Sequence, residues 1–162
     1  MELYVDFLLN RAVARQYEAF ARGFLTLVGG QALELFRPQE LENLVCGTQV
    51  LDFKALEANA RYEGGYGPGT PVCRWFWYIV NEEFGPEEKK QLLKFFTGSD
   101  RAPIGGLRHL KCKIQRAGPD SMQLPTAHTC FNTLLLPEYG SRGKTRDRVL
   151  TAITNCTTFG LE

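Results

Sequence analysis

The sequence predicts an α+β fold, with helices over the first two thirds and short strands plus one helix in the last third. Three patterns carry that prediction. Val13, Tyr17, Phe20, Phe24 and Leu27 recur at three- and four-residue steps, the stripe of an amphipathic helix. Leu110, Cys112 and Ile114 alternate with Lys111, Lys113 and Gln115, the period of a half-buried strand. Thr133 to Leu136 is a short apolar run closed by Pro137, and it reads as a buried strand.

In chain order, Arg11, Arg15, Glu18 and Arg22 fall between the stripe residues and should face water, with Gly29-Gly30 ending the helix. A second short helix is predicted from Pro38, a favoured first helical residue, with Leu41, Leu44 and Val45 inward and Gly47 just past its end. These two helices carry apolar faces with no partner element upstream, so they read as the tail of something larger. Gly47-Thr48-Gln49 is then a joint, because a helix stop is followed at once by Asp52, a cap for a helix carrying Phe53 and Leu56. The stretch from Gly64 to Gly69 is a loop. It lacks the Lys-Ser/Thr ending of a phosphate loop.

Thr70-Pro71 should cap and open a helix with Val72, Trp75, Phe76, Ile79 and Val80 along one side, its tryptophans being core at that spacing. Gly85-Pro86 breaks it. The next helix runs from Glu87 to Phe96, with an acidic start and a basic following turn that suit the helix dipole. Thr97 to Gly106 is irregular, and Ala117-Gly118-Pro119-Asp120 is a turn. Val149, Leu150 and Ile153 mark the last helix. Gly140 and Gly143 interrupt its approach, and a helical glycine costs about 1 kcal/mol relative to alanine, so a late start is expected.

The 162 residues are 44% hydrophobic with a net charge of +1, enough for one domain, or one domain and part of another, with a real core. Lys+Arg 19 against Asp+Glu 18 builds no basic field, so neither nucleic acid nor an anionic membrane is an expected partner. No apolar run is long enough to cross a bilayer, and Met1-Glu2-Leu3-Tyr4 does not resemble a signal peptide. Five cysteines without a close-spaced framework point to reduced thiols, hence to the cytoplasm and by extension the nucleus.

The stretch Leu124-Pro125-Thr126-Ala127-His128-Thr129-Cys130-Phe131-Asn132 stands apart. A thiol lies between polar neighbours, on a proline-stiffened approach, just ahead of a buried run. Burial statistics by themselves favour an inert core cysteine here. Zinc deserves weighing, since His109, Cys112, His128 and Cys130 supply four ligands. On a strand, however, His109 and Cys112 would point to opposite faces, and the spacing matches no common finger; no metal and no cofactor are expected. A cysteine hydrolase needs an imidazole within reach of the sulfur. His128 lies too near in sequence to approach it well, and His109 could reach it only through folding. Cys46, Cys73, Cys112 and Cys156 read as structural.

The string Leu124-Pro125-x-x-His128-Thr129-Cys130-Phe131-Asn132 resembles the signature around the active cysteine of HECT-type ubiquitin ligases. Further motifs keep the family's order: Phe20-x-x-Gly23-Phe24, Leu44-Val45-Cys46-Gly47, Phe95-x-Thr97-Gly98-Ser99-Asp100-Arg101, Pro103-Ile104-Gly105-Gly106, Leu136-Pro137-Glu138-Tyr139 and Phe159-Gly160. The resemblance implies the end of a catalytic N-lobe over 1–46, a hinge at 47–49 and a C-lobe over 50–162. It implies that Cys130 accepts ubiquitin from a conjugating enzyme as a thioester and passes it to a lysine of a protein substrate. His128, Thr129, Phe131 and Asn132 would then shape the site, and Phe159 would match the family's terminal phenylalanine that positions transfer. It further implies that the surface binding the conjugating enzyme lies upstream of these residues. The departures are Thr145, where the family usually has leucine, and Thr158, where a small residue is expected. A catalytically idle C-lobe that only binds ubiquitin or a partner domain is the alternative.

Overall fold

The computed structural model describes residues 2–28 and 31–155. The chain divides into two compact units, Met1–Glu42 and Asn43–Glu162. The first is helical: α1 (Glu2–Asp6) runs into a π-helical turn (Phe7–Arg11), followed by α2 (Ala14–Leu27), a 3₁₀ turn (Gln31–Leu35) and the start of α3 (Pro38–Cys46). α2 spans the expected stripe, and the Phe20 and Phe24 rings stack at 5.5 Å. Val13, Tyr17, Phe20 and Leu27 of that stripe are exposed, Phe20 by 65%, and Phe24 is half-buried. α1 had no counterpart in the periodicity, which begins only at Val13.

α3 starts at Pro38 as expected, where Glu40 accepts the Arg37 amide at 2.8 Å. The inward placement of Leu44 and Val45 is corrected: both are exposed, Val45 by 67%. A periodic pattern names a helix face, but a neighbouring element must cover that face before it is buried.

The second unit is a four-stranded sheet with helices packed on it. Its strands are β1 (Arg61–Glu63), β2 (Lys113–Arg116), β3 (Thr126–His128) and β4 (Thr133–Leu136), in the order β1-β2-β4-β3. β1, β2 and β4 run parallel, and β3 closes the edge as the antiparallel partner of β4. Parallel neighbours need crossovers. The first is α5 (Pro71–Tyr78), its π-helical extension (Ile79–Glu83) and α6 (Pro86–Thr97). α4 (Phe53–Ala58) precedes β1, and α7 (Arg142–Asn155) ends the described chain, packing on α5 and α6. The core gathers Leu56, Val72, Phe76, Ile79, Leu92 and Leu93 with Ile114, Leu134, Leu136 and Ile153.

Local chemistry explains these boundaries. Asp52 caps α4 by accepting the Ala55 amide at 3.0 Å. Glu88 reaches back to the Gly85 amide at 2.6 Å, and α6 ends at Gly98 in the left-handed region. Thr70 stands at the N-cap of α5 with Pro71 opening the helix, as expected, but its hydroxyl accepts the Gly67 amide within the glycine loop and makes no cap bond. The strand expected from Leu110 starts at Lys113, after a 3₁₀ turn over Leu107–His109. α7 begins at Arg142 with Gly143 in its first turn, earlier than the glycines suggested. Thr145, buried there, donates its hydroxyl to the Ser141 carbonyl at 2.9 Å.

Candidate active site

Cys130 sits at the tip of the β3–β4 hairpin. The register pairs Thr126 with Leu135, Ala127 with Leu134 and His128 with Thr133, and Thr129–Phe131 turns between the strands as one 3₁₀ turn. Asn132 completes the reversal at φ 48°, the one non-glycine residue with positive φ among the described residues. Asparagine tolerates this left-handed region better than other side-chain-bearing residues. Its amide donates to the Thr129 carbonyl at 3.3 Å, and its carbonyl accepts the Lys113 amide at 3.0 Å. The turn is therefore tied to the central strand β2. Thr133, buried, adds a hydroxyl bond to the Phe131 carbonyl at 3.2 Å.

The tip faces solvent. His128, Thr129 and Cys130 lie at the surface, with Cys130 exposed and Phe131 71% exposed. Thr133, Leu134 and Leu136 beyond it are buried, so the turn is held by its flank while its side chains stay available. α6 packs against this turn, and its terminal Gly98 lies beside Thr129. An open groove of about 380 Å³ runs from Cys46 and Gly47 past Thr97, Ile104 and Leu110 to Asn132, at the foot of the turn.

The structure thus brings His128, Thr129, Cys130, Phe131 and Asn132 together, and Phe159 lies outside the described residues. Among the described residues no hydrogen bond joins Cys130 to an imidazole. His109 instead accepts from the Arg108 guanidinium at 3.2 Å, so the thiol–imidazole pair of a cysteine hydrolase is not assembled. No group of three or more metal-ligating side chains is formed among the described residues. Cys73 and Cys112 are buried, and burial, helped at Cys73 by the charge of Glu138, pushes their thiols up to about 12. They are protonated core groups.

Two supports escaped the sequence reading. β3 is a three-residue strand with no run of β-formers to announce it, and its pairing partner reveals it. Tyr139, buried, donates its hydroxyl to the Gln123 carbonyl at 2.5 Å. Burial pushes that phenol up to about 12, so it remains a donor. The sequence marked Tyr139 only as part of the Leu136-Pro137-Glu138-Tyr139 motif, with no hint of the bond it makes.

Exposure predicts a labelling pattern. Limited iodoacetamide on the native protein should modify Cys130 and Cys46 and spare Cys73 and Cys112 until denaturant is added, as read by peptide mass spectrometry. Early labelling of Cys73 or Cys112 would contradict the packing described above.

A surface cysteine on a hairpin held by a mixed sheet suits an acyl carrier, and comparison with known proteins gives the class. The HECT-domain (ubiquitin-transferase) family model matches residues 1–162, and the chain belongs to that family. It is 43% identical over all its 162 residues to the mouse probable E3 ubiquitin-protein ligase HECTD2, of which it covers 21%. It is 42% identical over 161 residues, 99% of the chain, to human probable E3 ubiquitin-protein ligase HERC4, covering 15% of that protein. The probable E3 ubiquitin-protein ligase HUL4 of Eremothecium gossypii is 39% identical over 160 residues, 98% of this chain and 19% of HUL4. The chain thus spans about a fifth of the length of these curated relatives or less.

Proposed function

We propose that this chain carries ubiquitin as a thioester on Cys130 and passes it to a lysine of a protein substrate, after loading by a ubiquitin-conjugating enzyme. The observation that carries the reading is the exposed Cys130 on the turn Thr129–Phe131 of a HECT-family chain. In the loading step the Cys130 thiolate attacks the carbonyl carbon of the incoming ubiquitin thioester, and the conjugating enzyme's thiolate leaves and takes up a proton. One thioester replaces another, so the exchange runs near equilibrium. In the second step the lysine amine attacks the same carbon. Cys130 leaves as thiolate, an isopeptide bond forms and the amine loses a proton.

His128, Thr129, Phe131 and Asn132 shape the loop around the thioester in this reading, and Phe159 positions the transfer to lysine. The compartment we propose is the cytoplasm, extending to the nucleus, in keeping with Cys46, Cys73, Cys112 and Cys130 as free thiols. Within the family we place the chain beside the ligase associated with Angelman syndrome, on Leu51-Asp52-Phe53-x-Ala55-Leu56-Glu57 and Leu134-Leu135-Leu136-Pro137-Glu138-Tyr139. A tree of whole HECT domains that groups it with the HECTD2 or HERC4 relatives would overturn that placement.

The deciding experiment supplies ubiquitin as a small-molecule thioester, which bypasses the conjugating enzyme. The wild-type chain should give a ubiquitin adduct on a non-reducing gel that reductant removes, and Cys130→Ala should give none. A wild-type chain that binds ubiquitin yet forms no adduct is an idle binding module.

A further inference from the structure

The approach to the cysteine turn is held in an unusual way. β3 is an edge strand paired over three residues on one side only. The pairing stops at Thr126, and immediately upstream Pro125 has no amide hydrogen to offer the ladder. What fixes this approach comes from the other end of the hairpin. Beyond β4, Glu138 donates its amide to the Gly118 carbonyl at 3.1 Å, Lys144 meets Asp120 at 2.7 Å, and Tyr139 donates to the Gln123 carbonyl. The first two hold the segment far from β3. α6 packs on β3 itself, and Arg148 reaches the Met122 sulfur at 3.6 Å. Among the described residues, however, the Tyr139 hydroxyl makes the only tertiary hydrogen bond to positions 123–125, and Tyr139 is 2% exposed.

Resting on the thioester reading above, we propose that Tyr139 is a positioning residue for Cys130. Its hydroxyl, through the Gln123 carbonyl, sets the origin from which β3 delivers the turn. The hairpin is thus clamped at both strand ends outside its ladder. β4's exit is pinned by a second buried phenol, since Tyr66 donates to the Leu136 carbonyl at 2.8 Å. The two phenols differ in what they hold. Tyr66 binds a carbonyl that β2 already holds, since Leu136 pairs with Arg116 and also accepts the Ala117 amide at 3.0 Å. Tyr139 instead fixes the approach to the edge strand, which has no ladder of its own. Removing Tyr66's hydroxyl should cost stability without moving Cys130. Removing Tyr139's should let β3 and the turn drift, and acyl exchange tolerates little misplacement.

The test compares Tyr139→Phe with Tyr66→Phe in the full chain. Each deletes one buried hydroxyl from one backbone carbonyl and keeps the ring. Hydrogen exchange should lose protection over residues 126–132 in Tyr139→Phe and not in Tyr66→Phe. Charging from a ubiquitin small-molecule thioester should slow roughly tenfold in Tyr139→Phe at saturating thioester, with the half-saturating concentration unchanged, and stay near wild type in Tyr66→Phe. Unchanged exchange over 126–132 in Tyr139→Phe overturns the proposal, as does equal slowing in the two variants. If the wild type does not charge at all, the thioester reading fails and the exchange comparison still decides the role of Tyr139.

Discussion

The stability of the Asn43–Glu162 unit should hold to about pH 9 and then fall steeply as the solution is made more alkaline. The cause is a set of buried acids that the fold keeps protonated. Burial pushes the Cys73 and Cys112 thiols from 9.0 up to about 12, raises the Tyr139 phenol from 10.0 to about 12, and raises Tyr66 and Tyr62 above their ordinary value. A group whose pKa is higher in the folded state contributes its full stability below the unfolded value. That contribution is lost as pH rises through the folded value. In the unfolded chain the thiols ionise first, so above pH 9 the unfolded state binds fewer protons and stability declines with pH. A tenfold difference in acidity between the folded and unfolded chain corresponds to about 1.4 kcal/mol, and several groups act together, so the effect is large against an ordinary folding free energy. Urea midpoints followed by tryptophan fluorescence from about pH 8 to about pH 11 should drop once the solution passes about pH 9. Cys73→Ala and Cys112→Ala should flatten the decline. A midpoint that stays level over the window would mean that these groups ionise as readily in the folded as in the unfolded chain, and would overturn the prediction.

These groups also show how far the sequence could be read. Helices with caps and breakers of their own were legible: Asp52 before α4, Gly85-Pro86 before α6 and Gly98 after it each act within a few residues. β2 and β4 were legible because alternation or a closed apolar run marks them. β1 and β3 were not. They are three residues long and exist through parallel pairing with β2 and antiparallel pairing with β4, a contact between distant parts of the chain for β1 and across the cysteine turn for β3. The outer face of α3 gave the opposite error at Leu44 and Val45, since a stripe specifies a face without specifying what covers it. At the site, the ordered motifs named Cys130 and its neighbours. The left-handed Asn132, the Gly98–Thr129 approach and the Tyr139 clamp follow from geometry that no local pattern encodes. Thr145 is a further case: a polar residue at a buried position is tolerated there because the Ser141 carbonyl accepts its hydrogen bond.

Replacing Gly47 should be among the most damaging single substitutions in this unit, although the residue contributes no side chain. Its φ is +86°, and a Cβ there would collide with the carbonyl oxygen of Ala102. That oxygen is already committed, because it accepts the Thr48 amide at 2.9 Å while Thr48's carbonyl accepts the Ala102 amide at 2.9 Å. Ala102 is itself fully buried. An alanine at 47 must therefore either break the Thr48–Ala102 bridge or push back a buried backbone segment. Gly65 is the natural control, with φ +89° and nothing within 4 Å of where its Cβ would stand. Gly65→Ala should cost the left-handed strain alone, about 1 kcal/mol. Gly47→Ala should cost that strain plus the collision and the two bridge bonds, about 3 kcal/mol or more. Chemical denaturation of both variants reads the difference directly, and equal losses would show that the backbone at Ala102 yields freely. The bridge also places the Cys46–Gly47 wall of the groove that ends at Asn132. Gly47→Ala should therefore alter the alkylation rate of Cys46 more than Gly65→Ala does, a local readout separating a displaced groove wall from a general loss of stability.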